Sequence, residues 1–180
     1  EAFSTNILYF GGSDEDRARL TALASRAVKV VRTLAQRLQD ESARIDRLPA
    51  QEFEALDQRG FVDELDRLAL SADYLLLWAL FYDALPRVEN DAVRADELHE
   101  IVEFLAIKPS ILQTPQERSH VQAPALLLAG MTQRRLNDHT AAREQLGQAI
   151  AVAERLSDVV EKERVQWAVT LGTIEMVRND

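Results

Sequence analysis

Residues 124–156 constrain this chain more than any other stretch. Their sequence, PALLLAGMTQRRLNDHTAAREQLGQAIAVAERL, repeats its apolar residues with the period of a helix on both sides of one turn. Leu126, Ala129, Gly130 and Leu136 share a face before the turn, and Ala142, Leu146, Ala149, Ile150, Ala153 and Leu156 share one after it. The pattern predicts two antiparallel helices. Asn137 tolerates the left-handed conformation that ends a helix, and Asp138 or Thr140 offers a side-chain oxygen to the amides that open the next. Gly130, Ala142 and Ala149 are small where two helix backbones must approach, and Leu146 fills the space between them.

On these residues the stretch resembles a tetratricopeptide repeat, a helix-turn-helix unit of about 34 residues. The likeness rests on Leu126 three residues before Ala129-Gly130, Asn137 at the turn, Ala142 twelve residues after Gly130, then Leu146 and Ala149. The chain departs from the family in lacking a large aromatic at the start of the first helix, in placing Gln133 where a large apolar residue is usual, and in placing Glu154 at the closing proline. The resemblance implies stacked helical hairpins, an α-solenoid, that hold an extended peptide on the inner face of their first helices. Here that face would carry Leu127, Met131, Arg134 and Arg135, with the guanidinium groups set to bind a partner's carboxylates. Without the family relation the same pattern reads as a helical bundle, and the arginines as a solvated pair whose charge suits a helix C-terminus.

The rest of the chain agrees with an all-α fold of six or seven antiparallel helices. Glycines number six and prolines five in 180 residues, 28% of residues are charged, and Ala, Leu, Arg and Glu are prominent. A chain of this size buries about two-thirds of its unfolded surface, enough for one domain over residues 13–180. The absence of cysteine removes disulfides, thiolate chemistry and cysteine-bound metal. The longest apolar run, residues 74–82, has nine residues between Asp73 and Asp83, well short of the roughly 20 that span a bilayer. The chain begins at Glu1 rather than methionine, which leaves room for an upstream segment and leaves the compartment open.

The net charge of −9 is concentrated in the middle: residues 48–106 hold 14 acidic and 4 basic side chains, against a balance of +2 over residues 14–47 and of zero over 107–180. Phosphate repulsion then disfavours nonspecific nucleic-acid binding. The acidic middle suits either a basic partner surface or plain solvation of helix faces.

Taken in order, AFSTNILYF reads as an apolar N-terminal arm over residues 1–12, broken at Gly11-Gly12. Ser13 and Asp16 form an N-cap signature, and Leu20, Ala24, Ala27, Val31, Leu34, Leu38, Ile45 and Leu48 trace a stripe widened by Leu23, Val28 and Ala35. A helix over residues 14–48 would be about 50 Å long, which suits a bundle wall or the seam of a homodimer. Pro49 interrupts it, residues 51–58 form a short helix closed by Gly60, and residues 61–85 form another long one. Within it, residues 74–82 are apolar on every side and are expected to be the most buried, with Trp78 in the core. Pro86 ends that helix and Asn90 or Asp91 caps the next, whose apolar side is Leu98, Ile101, Val102 and Leu105. Lys108-Pro109 opens a loop, Thr114-Pro115-Gln116-Glu117 is a helix start, and Pro124 kinks that helix or begins a new one. A last helix over residues 158–177, with Trp167 and Leu171-Gly172, reads as a cap on the hairpin.

Catalytic residues are not expected. Asp96-x-x-His99 and Glu117-x-x-His120 have the spacing of di-iron bundle ligands, but such centres need carboxylates from two further helices, and Glu117 already fits a capping role. His139 falls in the hairpin turn as a surface residue. There is no Gly-x-Ser-x-Gly elbow, phosphate-binding glycine loop or His-Glu-x-x-His pair. No metal or cofactor is anticipated. The expected function is a non-catalytic protein–protein interaction scaffold or adaptor that binds another protein or peptide. The alternative is a helical sensor or carrier that holds a small apolar ligand between the long N-terminal helix and residues 61–85.

Overall fold

Local capping signals set several of the helix ends. The computed structural model describes residues 13–87, 91–107 and 119–155, with Glu163 and Gln166. The described residues form six helices and no strand: α1 (Asp14–Ile45), α2 (Ala50–Asp57), α3 (Phe61–Ala84), α4 (Ala92–Ile107), α5 (Ser119–Arg135) and α6 (His139–Ala153). The fold is all-α, as the composition and periodicity predict. The arm at 1–12, Asn90, the loop at Lys108-Pro109, the start signal at Thr114-Pro115 and, apart from Glu163 and Gln166, the expected last helix at 158–177 lie outside the described residues.

Ser13 and Asp16 form a reciprocal capping box at the start of α1: the Asp16 amide donates to Ser13 Oγ at 3.1 Å and the Ser13 amide to Asp16 Oδ2 at 3.2 Å. Asp91 caps α4, its Oδ1 accepting from the Val93 amide at 2.9 Å. Gly60 adopts φ +71° between α2 and α3, a left-handed backbone that disfavours any residue with a side chain. Pro124 lies inside α5, and the helix continues through it.

The two most extensive helix pairs are α1 with α3, across the short α2, and α5 with α6. α1 lies along α3, α3 contacts α4, α4 contacts α5, and α5 pairs with α6, while α5 also reaches back to α3. The short α2 has no buried residue and touches the start of the chain's third helix only lightly. One apolar cluster runs through the stack, from Leu20 in α1 through Leu77, Leu80 and Phe81 in α3 and Leu98 and Ile101 in α4 to Leu128 in α5 and Leu146 in α6. Ile45 and Leu65 are buried outside that cluster, at the other end of the α1–α3 pair.

Residues 74–82 supply much of this core: Leu76, Leu77, Ala79, Leu80 and Phe81 are buried. Trp78 packs partly buried against the cluster, edge-on to Tyr74 and Phe81. Leu75 departs from the expectation, since it is 52% exposed. Helix α3 is covered by α1 on one side and by α4 and α5 on another, and Leu75 points to the flank that none of them reaches. The α1 stripe is likewise rotated. Leu20, Ala24, Ala35 and Ile45 are buried, whereas Leu23 and Leu34 are exposed.

Candidate functional site

The α5–α6 hairpin is built as its residues dictate. Asn137 takes φ +63°, the Asn137 amide donates to the Arg134 carbonyl at 3.0 Å, and the Asp138 amide donates to the Gln133 carbonyl at 2.9 Å. This pair of bonds is a Schellman closure, which satisfies carbonyls that the helix end would leave open. Asp138 Oδ1 then accepts from the Ala141 amide at 3.0 Å and caps α6. One dipeptide closes one helix and opens the next.

The small residues sit where the two helices meet. Ala142 and Ala149 are fully buried, and a Cβ added to Gly130 would lie 2.6 Å from Leu146 Cγ and 3.2 Å from the Ala142 carbonyl oxygen. Real side-chain carbons do not approach so closely, so the backbone separation depends on glycine at this position. Thr132 is also fully buried, with its hydroxyl donating to the Leu128 carbonyl at 2.8 Å, so it places no open polar group in the core.

The four residues assigned to a peptide-holding face separate into two pairs. Leu127 and Met131 are enclosed in the apolar cluster, at 6% and 5% exposure. Neither side chain stands open to solvent, whereas the repeat resemblance sets both on the face that holds a peptide. Arg134 and Arg135 are half-buried at the C-terminal end of α5, where positive charge suits the helix dipole. His139, the first residue of α6, is half-buried rather than fully on the surface.

A polar cluster that the sequence reading missed ties α1, α3 and α4 together. Asp83 is buried near the end of α3; its Oδ1 accepts from Ser25 Oγ of α1 at 2.5 Å, and its Oδ2 accepts from Arg87 at 3.0 Å. Arg87 also lies 3.8 Å from Asp91 and 3.7 Å from Glu97 of α4. Burial, followed by a hydrogen bond to Asp83 and the charge on Asp83, pushes the Glu97 carboxyl up to about 8. Burial also works against ionisation of Asp83, but hydrogen bonds from Glu97, Ser25 and Arg87 outweigh it and hold Asp83 below its ordinary value. At neutral pH, then, Asp83 is the carboxylate and Glu97 is the proton donor. Two such carboxyls across an interhelical contact share one proton because both cannot be charged without cost.

Among the described residues, no three His, Asp or Glu side chains are grouped to hold a metal ion. His99 Nδ1 lies 2.7 Å from the Ala95 carbonyl oxygen of its own helix, which can only accept from it, and Asp96 is exposed. Glu117 lies outside the described residues. Among the described residues, no helix is long and apolar enough to cross a membrane. Comparison with protein-family models, with curated proteins and with solved structures finds no match.

Proposed function

We propose that the chain is a non-catalytic scaffold of tetratricopeptide-like type that binds another protein or a peptide. The observation that carries this reading is the close approach of α5 and α6 at Gly130, Ala142 and Leu146, on the residues where the repeat resemblance rests. The packing order supports it further. Helix α5 pairs with α6 while touching both α4 and α3, the serial arrangement in which each hairpin stacks on the one before. Arg134 and Arg135 are the residues through which such a hairpin would hold carboxylates of the partner, and the net charge of −9 favours a protein partner over nucleic acid. The long α1 adds a second contact, with another copy of the chain.

A carrier that holds an apolar ligand between α1 and α3 has less support. The two helices bury Ala24, Ala35, Ala72 and Ala79, small side chains that allow close packing, and the Ser25–Asp83 hydrogen bond joins the pair directly.

Affinity capture from an extract of the source organism, read by quantitative mass spectrometry, tests the scaffold. An Arg134→Glu, Arg135→Glu double variant is expected to keep its helical circular dichroism and lose the captured partner by about tenfold or more, since each paired arginine contact is worth roughly 1.5–3 kcal/mol. Full retention by that variant would reject the arginine surface.

A further inference from the structure

Helix α4 links two closely packed pairs. The contacts of α1 with α3 and of α5 with α6 are the most extensive in the fold, α4 touches both α3 and α5, and α3 meets α5 less than it meets α4. Leu98, Ile101 and Leu105 hold one side of α4 in the apolar cluster. Its other side is held by polar groups. Glu97 hydrogen-bonds to the buried Asp83 of α3, and Glu100 bonds to Arg32 of α1 at 2.8 Å. The Arg32–Glu100 pair is exposed, where an ion pair adds little, so the seat of α4 on this side rests on Glu97.

Three carboxyl groups converge there on one guanidinium. Arg87 lies 3.0 Å from Asp83, 3.8 Å from Asp91 and 3.7 Å from Glu97, and the side chains of Asp83 and Glu97 are 5% and 12% exposed. With all three ionised, three negative charges would face one positive charge with little water to screen them, so one carboxyl holds a proton. Asp83 accepts from Ser25 and Arg87, and Asp91 accepts from the Val93 and Arg94 amides at 2.9 and 3.4 Å, so both are satisfied as carboxylates. Glu97 is not: its Oε2 is buried with no hydrogen-bond partner among the described residues. These contacts give the proton to Glu97, in agreement with a carboxyl pushed up to about 8 by burial and by Asp83. Glu100 on the same helix adds to that rise, and Arg32 of α1 is drawn to both glutamates. The titratable residues of α5, which also packs on α4, are His120 in its first turn and Arg134 and Arg135 in its last.

Loss of that proton sets two carboxylates against each other across the α3–α4 contact and leaves a buried charged oxygen without a donor. Helices α1 and α3 are held to each other by the larger contact, so α4 is the element that yields. We propose that Asp83, Arg87 and Glu97 form a proton-operated latch: α4 stays seated while Glu97 is protonated, and leaves α1 and α3 ahead of the rest of the fold when Glu97 ionises. Release uncovers Leu98 and Ile101, which are buried in the seated helix. The seated state binds the proton more tightly than the released one, so release becomes more favourable by about tenfold per pH unit between the ordinary carboxyl value and that of the seated Glu97. Asp83, held below its ordinary value, stays charged over the upper part of that window. The latch is local to α4 and does not depend on a partner at Arg134 and Arg135.

Amide hydrogen exchange of the full chain at about pH 6 and about pH 8, corrected for the base-catalysed rate of an unprotected amide, tests the latch. Residues 95–105 of α4 are expected to lose protection by about tenfold or more over that interval, while residues 142–149 of α6 lose less than about threefold. Glu97→Gln cannot ionise and is expected to keep α4 equally protected at both pH values. Asp83→Asn removes the opposing charge and is expected to cut the loss to less than about threefold, so either variant decides if the other fails to keep the circular dichroism of the parent. Protection of α4 that is the same at both pH values in the parent would overturn the inference, as would a loss that a folded variant shows in full. A loss shared equally by residues 142–149 would also overturn it, since the whole fold would then respond and α4 would not leave first.

Discussion

Gly130 of α5 presses against Leu146 of α6 so closely that a single added carbon would lie 2.6 Å from the leucine Cγ. A helix interior ordinarily prefers alanine to glycine, because glycine loses more backbone freedom on folding. Here the contact across the hairpin opposes that preference. The helix propensity of Gly130 is given up so that the two backbones can meet.

Two glycine-to-alanine changes should therefore have opposite signs. Gly130→Ala gains about 1 kcal/mol in helix propensity but loses roughly 1–3 kcal/mol to overpacking, and is expected to lower Tm, with Gly130→Val lower still. Gly147, exposed on α6 with nothing within 4 Å of an added Cβ, should become more stable as alanine by about 0.5–1 kcal/mol. Thermal unfolding of the three variants checks the difference.

The turn makes a narrower prediction. Asp138 holds the cap of α6 through its bond to the Ala141 amide, so Asp138→Ala should cost about 1 kcal/mol in denaturant unfolding. Thr140→Ala, at the other candidate cap, should change stability by less than about 0.5 kcal/mol.

What could be read from the sequence was local. Asn137, Asp138, Ser13, Asp16 and Gly60 act on backbone groups within a few residues, and their chemistry is the same whichever way the helices pack. Gly130 and Leu146 are legible because small residues at helical spacing on both sides of one short turn mark where two helix backbones meet. Which side of a helix faces inward was harder to read. The resemblance sets Leu127 and Met131 on a peptide-holding face, yet they are buried, and the apolar run sets Leu75 in the core, yet it is exposed, because the answer depends on where the other helices lie. The bond between Ser25 and Asp83 joins residues 58 apart in sequence and leaves no periodic signal.

The shared proton of Asp83 and Glu97 gives a pH dependence with a definite sign. Glu97 binds its proton more tightly folded, near 8, than unfolded, near the ordinary 4.5, so the folded state holds the extra proton between those values. The stability this contributes is present at low pH and is lost as pH rises through the window up to about 8. Asp83, held below its ordinary value, works in the opposite sense: its contribution is present above the ordinary carboxylate range and is lost as pH falls through its own titration. Glu97→Gln keeps a hydrogen-bond donor to Asp83 and cannot ionise. Between about pH 6 and about pH 9 the parent should lose several degrees of Tm that the variant retains, at roughly 2–4 °C for each kcal/mol. Parallel Tm profiles across that range would show that Glu97 is not protonated in the folded protein.

Amide hydrogen exchange on the native chain tests most directly whether the α5–α6 hairpin anchors the stack. Protection should be highest for amides at residues 126–131 of α5 and 142–149 of α6, where the helices meet through Gly130, Ala142, Leu146 and Ala149, and lowest in α2, which buries no residue. Exchange at residues 126–131 and 142–149 as fast as that of α2 would contradict an interlocked hairpin.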